Sequence, residues 1–420
     1  MLDRFFYNIF LFAYSAGIRI ASLWNPKAGQ WISGRARQNI SLPPASSKTV
    51  WMHCASLGEF EQGRPVIEAL RNSNPGVRIV LTFFSPSGYE ACKDYSGADY
   101  IFYLPMDNIF SAKKFIAAVN PSLVLWVKYE YWVYYLDELK KRGIPVLLVS
   151  GIFRKNQPFF KIYGGMWKKM LKSFTHLFVQ NETSQKLLAT IGFTENVSIS
   201  GDTRFDRVTA IAQTTLNNEI ITAFTNGKKV IVAGSTWEDD EIILSAYADE
   251  TKNKFKLIVV PHQLDKQHLD TVKRIFKQSV FYTAVEKDKS LLGQMDQYTV
   301  LIVDTMGMLS RLYSIAYINY VGGGFTSDGI HNILEAAVWG KPVIIGENYE
   351  KYFEASDLVE CGAAESISDT NELKEVIEDW LADENYYSES AAAAKKYVYE
   401  NAGATKKIQD YIYVNRLLIN

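Results

Sequence analysis

Residues 53–63 read HCASLGEFEQG and set a carboxylate, Glu59, behind a Ser-Leu-Gly turn, where the apolar segment KTVWM gives way to a helical pattern. A first-turn glutamate complements the positive end of a helix. A carboxylate at a strand's carboxyl end is also where a general base meets its substrate. Position alone leaves both roles open for Glu59, with Ser56 and Gly58 beside it to contact ligand. The loop FFSPSGYE offers Ser85, Ser87 and Gly88, a small-residue turn with accessible backbone N–H groups. The segment VGGGFTSDGIHNILEAAVWGKPVIIG is richer. In it Gly322, Gly323 and Gly324 end a strand, His331 and Asn332 open a helix, and Glu335 lies one turn into that helix. Glycines let backbone approach a ligand, helix-start N–H groups attract phosphate, and a carboxylate can accept two hydrogen bonds from a ribose diol. Together they point to a nucleotide sugar.

Other fingerprints are missing. No G-x-x-x-x-G-K-[ST], G-x-S-x-G, H-E-x-x-H or dinucleotide G-x-G-x-x-G with its acid occurs. Of the five histidines, His53, His176 and His268 read as structural, whereas His262 and His331 follow strands of the second half. None has metal-ligand spacing, so no metal is expected.

These loops need a scaffold. The apolar runs TVWMHCA, VRIVLTFF, DYIFYL, LVLWVK, PVLLVSG and HLFVQN alternate with helical patterns up to VSISGDTRFDRV. After the polar stretch AQTTLNNEI a second series follows: KVIVAGS, FKLIVVP, VFYTA, TVLIVD, YINYVGGG and PVIIG. Short β runs alternating with helices predict parallel sheets covered on both faces. The expected architecture is therefore α/β: two Rossmann-like domains, with ligands in a central cleft at the carboxyl ends of their strands. The expected divisions are an N-terminal helix and basic linker over 1–40, one domain over 41–210, a second over 220–395, and a C-terminal helix over 396–420 packing back on the first.

With 420 residues, two domains are the default. A net charge of −1 argues against a general nucleic-acid binder, and three scattered cysteines, Cys54, Cys92 and Cys361, fit a reducing cytoplasmic setting. The N-terminal FFYNIFLFAYSAGIRIASLW is apolar and aromatic but interrupted by Asn8 and Arg19. Its uninterrupted core is shorter than the roughly 20 residues of a spanning helix. Arg19, Lys27, Arg35 and Arg37 place positive charge where anionic headgroups would lie. Residues 4–24 are read as a helix in or on the inner leaflet, the alternative being packing on the protein's own core.

The segments WMHCASLGEFEQGRPVIEALR, SGDTRFDRV, VDTMGMLSRLYSIAYINYVGGGF and GIHNILEAAVWGKPVIIG together resemble the bacterial Kdo (3-deoxy-D-manno-octulosonic acid) transferases, in order and over most of the chain. The resemblance implies a GT-B glycosyltransferase on the cytoplasmic face of the inner membrane. It would move Kdo from CMP-Kdo, an inverting transfer, to the lipid A precursor in lipopolysaccharide synthesis, with no cofactor and no nucleic-acid partner. The family's S-x-G-E glutamate, its base, falls on Glu59, and a second glutamate of E-T-E-L-W falls on Glu130. D-T-M-G falls on Asp304, Thr305, Met306 and Gly307, and H-N-x-x-E on His331, Asn332 and Glu335. Departures are Lys128 for the first acid of E-T-E-L-W, His262 for an arginine facing phosphate, Arg204 for a lysine, and Met308 for an acid. Lys128 and Arg204 are then expected to meet the Kdo carboxylate or acceptor phosphates, and His262 to carry charge part of the time. A soluble nucleotide-sugar epimerase of the same architecture and a non-catalytic membrane-associated relative are the alternatives.

Overall fold

The computed structural model describes residues 2–44, 47–128, 130–250 and 254–418. The chain divides into two compact units, Met1–Arg207 with Ala402–Asn420, and Val208–Asn401.

In the first unit seven strands form one sheet: β1 (Thr49–Cys54), β2 (Arg78–Phe83), β3 (Tyr100–Tyr103), β4 (Leu123–Val127), β5 (Val146–Gly151), β6 (His176–Val179) and β7 (Val197–Ile199). They lie in the order β3-β2-β1-β4-β5-β6-β7, every pairing parallel. Parallel crossovers put helices on both faces, so the central strands are buried throughout and read as unbroken apolar runs. On one face Trp51, Phe115, Trp126 and Tyr135 pack edge to face. On the other, Met52, Phe60 and Phe83 join Ile408 and Ile412 of the helix Ala404–Val414. Asp206 starts that helix by accepting the N–H groups of Gly403 and Thr405, and Tyr411 stacks on His176 with ring centroids 4.4 Å apart.

The second unit repeats the plan with β8 (Val230–Thr236), β9 (Lys256–Pro261), β10 (Ser279–Phe281), β11 (Val300–Ile302), β12 (Ile318–Val321), β13 (Val343–Gly346) and β14 (Ala364–Ile367). Their order is β10-β11-β9-β8-β12-β13-β14, again all parallel. Strand β14 was not expected: AESI is a four-residue edge strand whose middle pair is only half buried, so it carries no apolar run. The expected run VFYTA keeps only its first residues as strand and continues as the helix Tyr282–Lys287.

At the N-terminus the helix expected over 4–24 is Leu2–Ala21, and the expected basic linker contains a second helix, Pro26–Arg37, bent by 118° from the first. Asn25 causes the break by capping the second helix through the N–H groups of Lys27 and Ala28. Among the described residues no single helix is long and apolar enough to cross a membrane, although the bent pair passes by length and composition. The first helix is inverted relative to an ordinary surface helix. Its polar groups face the protein: Arg4 pairs with Asp137, Tyr7 donates to Asp107 at 2.6 Å, and Asn8 accepts from Tyr134. Phe5, Phe6, Phe10 and Phe12 point outward, each more than half exposed. Arg35 does not serve a headgroup as expected. It lies 3.9 Å over the Trp31 ring and donates to the carbonyls of Leu104 and Phe84, and burial lowers its pKa to about 10.

Asp107 is the buried anchor of this docking, accepting from Tyr7 and from the N–H groups of Tyr134 and Tyr135. Burial raises its carboxyl to about 6 despite those donors, above the ~3.9 of an unfolded aspartate. The folded chain therefore binds this proton more readily, and the cost of holding Asp107 ionised is relieved as pH falls through 6. Expected outcome: between pH 7.5 and 5 the melting temperature of wild type rises relative to that of Asp107→Asn. A constant difference would show that Asp107 does not titrate in this range.

Candidate active site

In open parallel sheets the ligand sits beyond the strand carboxyl ends where successive crossovers leave in opposite directions. Those points are β1/β4 in the first unit and β8/β12 in the second. Backbone strain gathers at the same sheet ends. Lys128 after β4, Ser150 in β5 and Ser235 in β8 all have left-handed φ, at 55°, 52° and 54°, a conformation that costs a non-glycine residue about 1–3 kcal/mol.

Beyond β1, Glu59 lies in the first turn of the helix Leu57–Ser73, only 8% exposed, and its Oε2 accepts the N–H of Ala55. It thus does the helix-start work that its position allows. Ser56 is the N-cap residue but its hydroxyl makes no capping bond. A Cβ on Gly58 would meet nothing within 4 Å, so packing does not explain this glycine. In the β2 loop Ser85 caps the helix Pro86–Cys92 through Gly88 N–H at 3.3 Å and sits 3.0 Å from the Ser87 hydroxyl. Gly88 has a packing reason, since its Cβ would lie 2.5 Å from the Phe83 ring.

Beyond β4, Glu130 is the more open carboxylate, its side chain 28% exposed. Trp132 Nε1 donates to Glu130 Oε2 at 3.2 Å, the Trp126 indole donates to the Glu130 carbonyl, and His53 Nε2 stands 3.5 Å from Oε2. Arg204 differs from expectation. Its guanidinium is bound to Asp202 at 2.8–2.9 Å, and Asp202 also accepts from Gln62 and Gln180. Burial alone would raise the Asp202 carboxyl, yet Arg204 and Lys128 hold it below the usual range. Much of the charge expected to meet a substrate anion is balanced inside the protein.

In the second unit the β8 and β12 loops are joined by Asp240, which is fully buried. It accepts from Trp237 N–H and Gly323 N–H, each at 2.9 Å, and from Tyr320 hydroxyl at 2.7 Å. Burial raises its carboxyl against the pull of these donors. Gly322 and Gly324 are required by backbone packing: their Cβ atoms would lie 2.6 Å from Ser235 O and 2.5 Å from Gly346 Cα. Gly323 needs its positive φ of 94°. His331, His262 and Trp237 form an aromatic shelf. The two imidazoles stack at 4.2 Å, Trp237 stacks on His262 at 4.8 Å, and Trp237 Nε1 donates to His331 Nε2 at 3.0 Å. Burial lowers both imidazoles, His331 to about 4. Burial thus moves His262 further toward the neutral ring than an ordinary histidine.

The helix expected to open at His331-Asn332 is only Leu334–Ala337, because residues 331 and 332 remain in the loop. His331 N–H bonds back to Gly322 O at 3.2 Å. Four residues do not make a phosphate-binding helix terminus, and the Asn332 amide donates to Glu335 Oε1 at 3.0 Å. Asp304 accepts from the N–H and hydroxyl of Thr283 at the start of Tyr282–Lys287. Met306 is 86% exposed and Gly307 has φ 85°. Among the described residues no group of three or more His, Cys, Asp or Glu is placed to hold a metal ion.

Trp237, Asp240 and His53 were not selected from sequence as site residues. Trp237 and Asp240 had a legible signal, an aromatic and an acid just after the first strand of the second half, the counterpart of the SLGE turn. His53 had none, since a histidine inside an apolar strand gives no hint of its neighbours.

Two all-parallel sheets with loops gathered at their switch points define a GT-B architecture, and solved structures share it. UDP-GlcNAc 2-epimerase from Neisseria meningitidis bound to UDP-GlcNAc has a TM-score of 0.58 at 17% identity, covering 87% of this chain and 99% of that one. MurG from Acinetobacter baumannii has 0.53 at 13%, with the same coverage. Likeness at this identity concerns the fold alone. Sequence is more specific. Residues 32–207 match the family model of 3-deoxy-D-manno-octulosonic-acid transferase (kdotransferase). The 3-deoxy-D-manno-octulosonic acid transferase of Aquifex aeolicus is 30% identical over 333 residues, 77% of this chain and 83% of the relative. That of Haemophilus influenzae is 27% identical over 97% of this chain and 98% of its own length. The chain belongs to the 3-deoxy-D-manno-octulosonic acid transferase family and is a glycosyltransferase.

Gly58 separates a ligand contact from a packing contact. Gly58→Ala is expected to leave stability unchanged or raise it by up to about 1 kcal/mol, because alanine favours a helix. Transfer should nonetheless fall, as measured by turnover beside a thermal melt. Full activity would remove Gly58 from the site.

Proposed function

We propose that this enzyme moves Kdo from CMP-Kdo to a hydroxyl of the lipid A precursor, with inversion, at the cytoplasmic face of the inner membrane. The observation that carries the reading is a pair of carboxylates beyond neighbouring strands β1 and β4, each with Oε2 engaged by a protein donor. Glu59 is the proposed base. It takes the proton of the acceptor hydroxyl as that oxygen bonds to the anomeric carbon, while CMP leaves with the electrons of the broken bond. Glu130 is the second carboxylate, holding the acceptor or the developing charge at the sugar. Lys128 and Arg204 bias the same loops toward anions, with Arg204 shared with Asp202. The second unit holds the nucleotide. The neutral shelf of Trp237, His262 and His331 offers ring faces for a base, and Gly322–Gly324 let the backbone come close. Met306, Gly307 and Asp304 edge the donor ground, and the Asn332–Glu335 pair is directed to the ribose. The reading calls on no resident cofactor, CMP-Kdo being a co-substrate.

A lipid acceptor is favoured by an apolar cavity of about 600 Å³ in the first unit, lined by Phe6, Tyr7, Phe10, Glu130, Trp167 and Met170 among others. The outward aromatic face of Leu2–Ala21, continued by Leu23 and Trp24 at 81% and 70% exposure, fits a helix lying in the headgroup region.

Two experiments test this. Glu59→Gln and Glu130→Gln should each lower Kdo transfer by at least about 100-fold, the scale of a lost acid–base group, with CMP affinity retained. Near-normal turnover in Glu59→Gln would refute its role as base. Replacing Phe6, Phe10 and Phe12 with serine should shift the protein from floated vesicles of anionic phospholipid to the soluble fraction. Unchanged flotation would move the membrane contact elsewhere.

A further inference from the structure

His53 is the penultimate residue of the central strand β1, paired with Trp126 of β4 and fully buried, yet its Nε2 has no hydrogen-bond partner. Buried polar atoms in native proteins are nearly always paired, so an exception calls for an explanation. The group this nitrogen faces is Glu130, whose Oε2 is 3.5 Å away. The other end of the ring is held by Thr82, with Nδ1 2.9 Å from its Oγ1.

The carboxylate sets the tautomer. Thr82 Oγ1 accepts the Trp51 indole N–H at 2.8 Å and, with one proton and a second lone pair, serves His53 Nδ1 at 2.9 Å as either donor or acceptor. At the other end of the ring Nε2 faces a carboxylate oxygen, which only accepts. The tautomer that suits both ends carries its ring proton on Nε2, pointed at Glu130, and takes the Thr82 hydroxyl proton at Nδ1. The ring cannot swing away, since it lies against Trp126 at 4.7 Å. Trp132 Nε1 approaches the same Oε2 at 3.2 Å. Both donors converge on one oxygen, which leaves Oε1 as the oxygen that would accept a hydrogen bond from substrate.

We infer that His53 is a positioning residue for Glu130: a buried chain Trp51–Thr82–His53 delivers an N–H to Glu130 Oε2 and turns Oε1 toward the reacting groups. The inference rests on the reading of Glu130 as a carboxylate of the transfer site. Hydrogen bonds of this kind are often long without substrate and tighten in the complex, and the 3.5 Å gap is of that order. No proton is transferred through the chain; it sets orientation.

The test is steady-state transfer from CMP-Kdo to lipid A precursor, using the full-length protein. His53→Leu, which fills the space but cannot donate, should lower kcat by about 10–100-fold, as loss of an outer partner of an active group does elsewhere, with KM for CMP-Kdo unchanged. His53→Gln, whose amide nitrogen reaches the same point, should restore kcat to within about 3-fold of wild type, read as a difference in transition-state stabilisation. Should His53→Leu not fold, Thr82→Val serves in its place and should lower kcat at constant KM by removing the hydroxyl that holds Nδ1. In a Glu130→Gln background His53→Leu should cause no further loss, because coupled residues are not additive. Equal damage from His53→Leu and His53→Gln, additivity with Glu130→Gln, or normal kcat in both His53→Leu and Thr82→Val would overturn the inference alone. If Glu130→Gln itself turned over normally, the reading of Glu130 would fail and this inference with it.

Discussion

A sheet of parallel strands has to be left and re-entered through crossovers that cover both of its faces, and every other feature here follows from that constraint. Side chains of the central strands are sealed between helices, so chemistry is confined to the strand ends. Where crossovers part in opposite directions, at β1/β4 and β8/β12, no helix roofs the carboxyl ends. The candidate residues after those four strands are Glu59, Glu130, Trp237 and the glycine loop. The left-handed residues Lys128 and Ser235 lie at the same ends, as expected where the chain must turn sharply to present side chains.

The two units meet this constraint in different ways. In the second, one buried carboxylate, Asp240, ties the β8 loop to the β12 loop through three hydrogen bonds. Glycines then allow the loops to touch, which gives Gly322 and Gly324 a packing reason independent of any ligand. In the first unit polar side chains pair with each other: Arg204 with Asp202, and Glu130 with Trp132 and the nearby His53. A site built from already paired groups is rigid before substrate arrives, which suits a transferase that must hold two reactants in one geometry.

Family and fold carry different information. Epimerase and MurG structures share the architecture at 13–17% identity, and one fold supports many reactions. The sequence relatives at 27–30% identity are transferases over most of their length. The N-terminal helix has its polar face spent on Asp107 and Asp137 and its aromatic face left outward.

Most strands could be read directly, because a strand buried on both faces needs an apolar run, and VLLVSG or KLIVVP admits no other use. The edge strand AESI had no such run and was missed. The turn loops were equally legible, since small residues at strand ends have few alternatives. What one dimension could not supply was partnership. Trp237 and His331 are 94 residues apart, Asp240 and Gly323 83, and His53 and Thr82 29. Parallel neighbours come together only after a crossover, so no local spacing records them. Residue types at the strand ends therefore raised the expectation of a nucleotide sugar, and the motifs in register that of the family, from the sequence alone. Which carboxylate stays open, which cation is already balanced and which histidine is neutral were decided by the tertiary structure, because burial and charge pairing are properties of neighbours in space.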